Sequence, residues 1–69
     1  MASLAERLIE LRNHRQLAQP VVAKAVGITT RTYQRYEAGE REPTASTLIR
    51  MADFYGVTID YLVGRTDGR

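Results

Sequence analysis

Apolar residues recur along this chain at helical spacing. Leu4, Leu8 and Leu11 fall at i, i+4 and i+7, which is one stripe of a helix. Val22, Ala23 and Val26 make a second stripe, Tyr33 and Tyr36 a third, and Leu48, Met51, Ala52 and Tyr55 a fourth. Val57, Ile59 and Leu62 close the pattern, while Leu17 and Ile28 sit between stripes. No segment alternates apolar and polar residues over the length of a strand. The pattern predicts five helices, over about residues 3–14, 19–26, 30–38, 45–55 and 59–63. These apolar residues are the expected core of a compact all-α domain with short connections.

The polar punctuation agrees. Gly27, Gly39 and Gly56 each follow an apolar stripe, where a helix end asks for positive φ. Pro20 and Pro43 stand at the entry to a following helix, where a missing N–H matters little. Ser3, Thr29, Thr44 and Thr58 are candidate N-caps. Ser3 with Glu6 three residues later has the capping-box pattern.

The most informative stretch runs from Gln19 to Gly39, QPVVAKAVGITTRTYQRYEAG. It reads as a helix with small Ala23 at its crossing point, a tight turn at Gly27, apolar Ile28 as a plug, and a helix capped by Thr29. That order of residue types suits two helices crossing steeply through a short turn, a helix-turn-helix. With Tyr33 and Tyr36 facing inward, the third helix turns Thr30, Arg31, Gln34 and Arg35 outward. Arg31 and Arg35 are i, i+4 neighbours. Hydroxyl, guanidinium and amide groups are the ones that read base edges in a major groove. The same face, taken alone, is equally that of an ordinary solvated helix. The preceding helix-turn-helix pattern favours DNA. The face shows no acidic side chain, and the start of its helix attracts phosphate.

Composition adds limits. The chain has 69 residues, no Cys and a net charge of +2. One domain is expected, and its core must form without disulfides. No apolar run approaches a membrane span, and MASLAERLIE has no leader pattern. A cytoplasmic location is therefore expected. The net charge is unremarkable, but residues 11–41 hold +4 of it, a better sign of a polyanionic partner than the total. His14 is the only histidine, and no nucleophile–base–carboxylate set can be assembled. The chain is not expected to be an enzyme. Glu10 and His14 lie at i, i+4, but two ligands make a poor metal site. No Gly-rich phosphate loop occurs, and neither a metal nor a cofactor is expected.

Several specific elements stand together: Leu17 and Gln19, Ala23 with Gly27, Tyr36-Glu37 with Gly39, Glu42-Pro43, and Gly56 to Leu62. With them, residues 4–64 resemble the phage repressor/Cro-type, or xenobiotic-response-element-type, helix-turn-helix family of DNA-binding regulators. The resemblance implies a five-helix, lambda-repressor-like domain over residues 1–64, with 65–69 as a tail or the start of a linker. It implies that the third helix enters the major groove, with base contacts from Thr30, Arg31, Gln34 and Arg35. Gln19, Thr29 and Arg41 are then expected on phosphates, and Arg12 with Glu37 as a largely buried structural salt bridge. The implied activity is sequence-specific transcriptional regulation, in the sense of a repressor. The implied partner is double-stranded DNA with a pseudo-palindromic operator, bound by a homodimer formed through the fifth helix and tail, around 59–65.

The chain departs from the family pattern at three positions. Ala18 replaces the usual Ser or Thr cap before Gln19, Val21 stands where a charge is common, and Phe54 is large where small or polar residues prevail. Val21 and Phe54 are the hints for an alternative, a protein-interaction module such as an antitoxin. Phe54 is expected to fold over the edge of the core rather than to form a partner surface.

Overall fold

Each of the five helices begins and ends for a reason that can be traced to particular side chains. The computed structural model describes residues 3–66. The helices are α1 (Leu4–His14), α2 (Gln19–Val26), α3 (Thr30–Glu37), α4 (Ala45–Tyr55) and α5 (Ile59–Leu62). Among the described residues there is no strand, and no helix is long and apolar enough to cross a membrane. Ser3, Thr29, Thr44 and Thr58 each accept a first-turn backbone N–H with their side-chain oxygen. Ser3 and Glu6 complete the reciprocal capping box. Ala18 offers α2 no such bond, and Pro20 sits in the first turn instead. The expected bounds differ by one residue at three ends, because Ser3, Ala38 and Val63 are caps rather than helical residues.

All five helices terminate in the same hydrogen-bonded loop. At the end of α2, Gly27 N–H donates to the Lys24 carbonyl at 3.2 Å and Ile28 N–H to the Ala23 carbonyl at 3.0 Å. This pair of bonds defines the Schellman motif. Equivalent pairs close α3 at Gly39, α4 at Gly56 and α5 at Gly64. Gly64 was not anticipated in the sequence. Helix α1 closes the same way through Gln16 and Leu17, which donate to Asn13 and Arg12. Gln16 thus has φ +57°, the only positive φ outside glycine among the described residues.

The core is built as expected from Leu8, Leu11, Val22, Ala23, Val26, Tyr33, Tyr36, Met51, Ala52, Tyr55 and Leu62. Leu4, Leu17, Ile28, Leu48, Phe54 and Val57 pack around it, partly buried. Phe54 meets Tyr55 edge-on at 5.0 Å and lies 5.8 Å from the Arg15 guanidinium. It folds over the core edge. Val21 stays exposed. One expected core residue is corrected: Ile59 is 40% exposed and Tyr61 is buried in its place. Helix α5 is only one turn long, so spacing alone does not choose between Ile59 and Tyr61 as the inward neighbour of Leu62, and here Tyr61 and Leu62 are the buried pair. Tyr61 in turn buries Arg7, whose guanidinium stacks 4.0 Å above the ring.

These chain ends carry a test with two signs. A residue other than glycine in the left-handed region is strained by roughly 1–2 kcal/mol. Gln16→Gly should therefore raise stability, by up to about 1 kcal/mol after the extra unfolded-state entropy of glycine is counted. Gly27→Ala should lower it by about 1–2 kcal/mol. Its added Cβ would meet only Arg50 Nη1 at 3.7 Å, so the loss is conformational rather than steric. Urea unfolding of both variants measures the two effects.

Candidate nucleic-acid interface

Helix α3 owes its placement to its two sides. Tyr33 and Tyr36 enter the core, and the Tyr33 hydroxyl meets the Tyr55 hydroxyl of α4 at 2.9 Å. Burial raises the Tyr33 pKa well above the ordinary value, so the ring stays neutral. Helix α3 packs on α1 and α2, and α2 packs on α4. This leaves the polar side of α3 outward. Arg31 and Gln34 are exposed, and Thr30 and Arg35 half-buried.

At the last turn of α3, Glu37 forms the expected ion pair with Arg12 of α1. Arg12 Nε donates to Glu37 Oε2 at 2.6 Å and Nη2 to Oε1 at 3.0 Å, a two-pronged contact. The pair is largely buried, with side-chain exposures of 17% for Arg12 and 5% for Glu37. Arg12 Nη1 also holds the Leu17 carbonyl at 3.0 Å. Burial pushes the Glu37 carboxyl upward. Hydrogen bonds from Arg12, Tyr33 and Gln19 and the charge of Arg12 outweigh it, and the pKa falls below the usual carboxylate range. From the first turn of α2, Gln19 Nε2 donates to Glu37 Oε1 at 3.1 Å, while Gln19 Oε1 accepts from Gln34 Nε2 at 3.2 Å. One carboxylate thereby joins α1, α2 and α3.

Arg31, Gln34 and Arg35 surround a single shallow depression of about 290 Å³, completed by Ala38 and Glu40. One expectation changes here. Glu40 lies at the rim of a face that the sequence had shown without an acidic residue. It lies beyond α3 and returns because Glu40 N–H closes the helix onto the Arg35 carbonyl at 2.9 Å. Arg41 is not gathered with the others. It borders a separate groove with Ser3, Leu4, Gly39 and Pro43 among others. Thr29 accepts from Thr32 N–H at 3.1 Å and donates its hydroxyl proton to Thr32 Oγ1 at 2.8 Å. Its side chain serves first as a helix cap.

The basic excess of residues 11–41 also divides. Arg12 is paired internally. Arg15 donates to the Phe54 and Tyr55 carbonyls, at 2.9 and 2.7 Å, and so caps the end of α4. Lys24, Arg31 and Arg41 are exposed. Glu10 and His14 are both exposed on α1. Among the described residues no group of three or more His, Cys, Asp or Glu side chains gathers to hold a metal ion.

The profile of the helix-turn-helix family matches residues 8–62. The chain belongs to that family. It is 37% identical over 62 residues to the transcriptional repressor RstR of the cryptic phage CTXphi of Vibrio cholerae, covering 90% of this chain and 55% of that protein. It is 38% identical over 60 residues to the regulator AnsR of Bacillus subtilis, covering 87% and 52%. The chain spans about half the length of the curated relatives it matches. A transcriptional regulator from Listeria innocua has a similar structure, with a TM-score of 0.87 and 33% identity over 97% of this chain and 63% of the other. The P22 c2 repressor, solved with synthetic operator 9T, also gives 0.87 at 24% identity, over 91% of this chain and 96% of the other. That likeness is one of fold, and the fold is the expected lambda-repressor-like one.

The shared carboxylate gives a test that needs no ligand. Arg12→Ala leaves a buried carboxylate without its cation and should cost about 3–5 kcal/mol. Because the folded pKa of Glu37 is lowered, its contribution is present in full above the unfolded value of about 4.3 and is lost as pH falls through the folded value. Glu37→Gln should be less stable at neutral pH and lose less on acidification. Urea unfolding between neutral pH and about pH 3 checks both.

Proposed function

We propose that this helix-turn-helix chain is a sequence-specific DNA-binding regulator of transcription, acting as a repressor in the cytoplasm. Helix α3 enters the major groove of double-stranded DNA. The observation that carries this reading is the cluster of Arg31, Gln34 and Arg35 around one surface depression, on a helix held from behind by α1 and α2. Guanidinium forks suit guanine O6 and N7, and Thr30 offers a hydroxyl and a methyl at the start of the same helix. Gln19, Thr29 and Arg41 take phosphate contacts. Gln19 retains one amide N–H beyond the bond to Glu37, and Arg41 reaches phosphate from the neighbouring groove. Such contacts set register without reading sequence. The names of the relatives, a phage repressor and a bacterial regulator, support the same role.

The domain comprises residues 1–64, with 65–69 as a tail; residues 1–2 and 67–69 lie outside the described residues. Two copies bind a pseudo-palindromic operator. A single small module buries only about 600–1,000 Å² on DNA, and dimers set their recognition helices about 34 Å apart. The dimer forms through α5 and the tail, and the outward Ile59 supports that surface.

Selection of bound sequences from a random DNA pool tests the reading. A motif with two half-sites is the expected result, and absence of any binding at low salt would refute it. Arg35→Ala should cost about 1–3 kcal/mol on the selected site and relax preference at one base position. Arg41→Ala should weaken all sequences alike and lower the salt slope by about 0.9. Glu40→Gln, which removes the carboxylate at the rim, should tighten binding to every sequence.

A further inference from the structure

Gln34 lies among the arginines of the outward face, yet its amide is already engaged. The chain of bonds runs from Gln34 Nε2 to Gln19 Oε1 at 3.2 Å, and from Gln19 Nε2 to Glu37 Oε1 at 3.1 Å. Its direction is dictated by the far end. Arg12 is a donor only, and the ionised Glu37 is an acceptor only. Gln19 must therefore turn its NH₂ group toward Glu37, which exposes its oxygen. That oxygen in turn requires the NH₂ group of Gln34. An amide that would otherwise rotate freely is set by a buried charge two residues away in the hydrogen-bond chain. Gln34 is left with its oxygen and one N–H, on the rim of the depression it shares with Arg31 and Arg35.

We propose that Glu37 and Gln19 are positioning residues for base specificity, which fix Gln34 as an acceptor with a single remaining donor, matched to adenine and opposed to guanine. Adenine offers a donor at N6 and an acceptor at N7, so it takes the oxygen and the one N–H. Guanine presents acceptors at both O6 and N7. It would need two donors where one is already bound to Gln19. The inference rests on the DNA-reading role of α3 proposed above and adds which base one of its positions selects and how.

Two variants test it, with the unaltered chain as reference. Gln34→Met is at an exposed position and leaves the Arg12–Glu37 pair untouched. Gln19→Met keeps the length of the side chain but breaks the chain of bonds, freeing both N–H groups of Gln34. Each protein is used to select sites from the same random double-stranded DNA pool, and thermal unfolding confirms that each is folded. The reference should enrich adenine at one position of each half-site, and Gln34→Met should abolish that preference. Gln19→Met should admit guanine at the same position, reducing the adenine-to-guanine ratio by about tenfold, while preferences at the other positions persist. A uniform loss of affinity in Gln19→Met with an unchanged base profile would show Gln19 to be only a phosphate contact or a brace, and would overturn the inference. So would an unchanged profile in Gln34→Met. If the reference chain selects no motif at all, the regulator reading fails first, a result distinct from either of these.

Discussion

A carboxylate placed between helices must be satisfied on every side, and the arrangement of the first three helices follows from how Glu37 meets that demand. Its two oxygens take Arg12 from α1 and Gln19 from the first turn of α2, while its backbone ends α3. Arg12 continues to the Leu17 carbonyl and so fixes the loop between α1 and α2 as well. A buried ion pair adds little net stability over apolar packing, but it punishes any arrangement in which its partners are apart. Here that penalty falls on the relative placement of α1 and α3, and the Gln19 bond to the same carboxylate adds the start of α2, the other helix of the helix-turn-helix. The apolar contacts of Ala23 and Tyr33 tolerate small slides; a two-pronged contact at 2.6 and 3.0 Å does not.

The cations of this protein do several kinds of work, and net charge conceals the division. Arg7 lies over Tyr61, Arg12 neutralises Glu37, and Arg15 caps α4 through two carbonyls. Arginine suits all of these because its planar fork stacks on rings and donates in more than one direction. Arg31 and Arg35 are the pair left together on the outward side of α3. The capacity to meet a polyanion thus belongs to a local surface, from which the internal arginines have been withdrawn by folding.

Much of the fold was legible in the sequence. The caps at Ser3, Thr29, Thr44 and Thr58, the turns at Gly27, Gly39 and Gly56, and nearly all of the core are set by local rules of spacing and backbone preference. The Arg12–Glu37 pair was legible by resemblance alone, since the two lie 25 residues apart and nothing local links them. Where the structure departs from the local pattern, the reasons differ. Ile59 and Tyr61 exchange places because α5 is too short for periodicity to decide its inner face. Gln16 adopts a glycine-like φ with no glycine to announce it. Arg7, a charged residue, sits beside Leu8 on the buried side of α1. Glu40 was assigned to a loop and reaches the rim of the α3 face through the closure of the helix onto Arg35.

The sequence by itself determined five helices, their ends, the order helix-turn-helix and the polar side of α3. Each of these follows from residues within a few positions of one another, where spacing and backbone preference suffice. Tertiary structure alone decided which arginines remain outward and which groups share a surface. It decided that Arg41 lies apart from Arg31 and Arg35, and that Gln34 is tied through Gln19 to a buried charge. Those outcomes depend on atoms brought together from distant parts of the chain, and hydrogen bonds between side chains carry direction that no local pattern encodes.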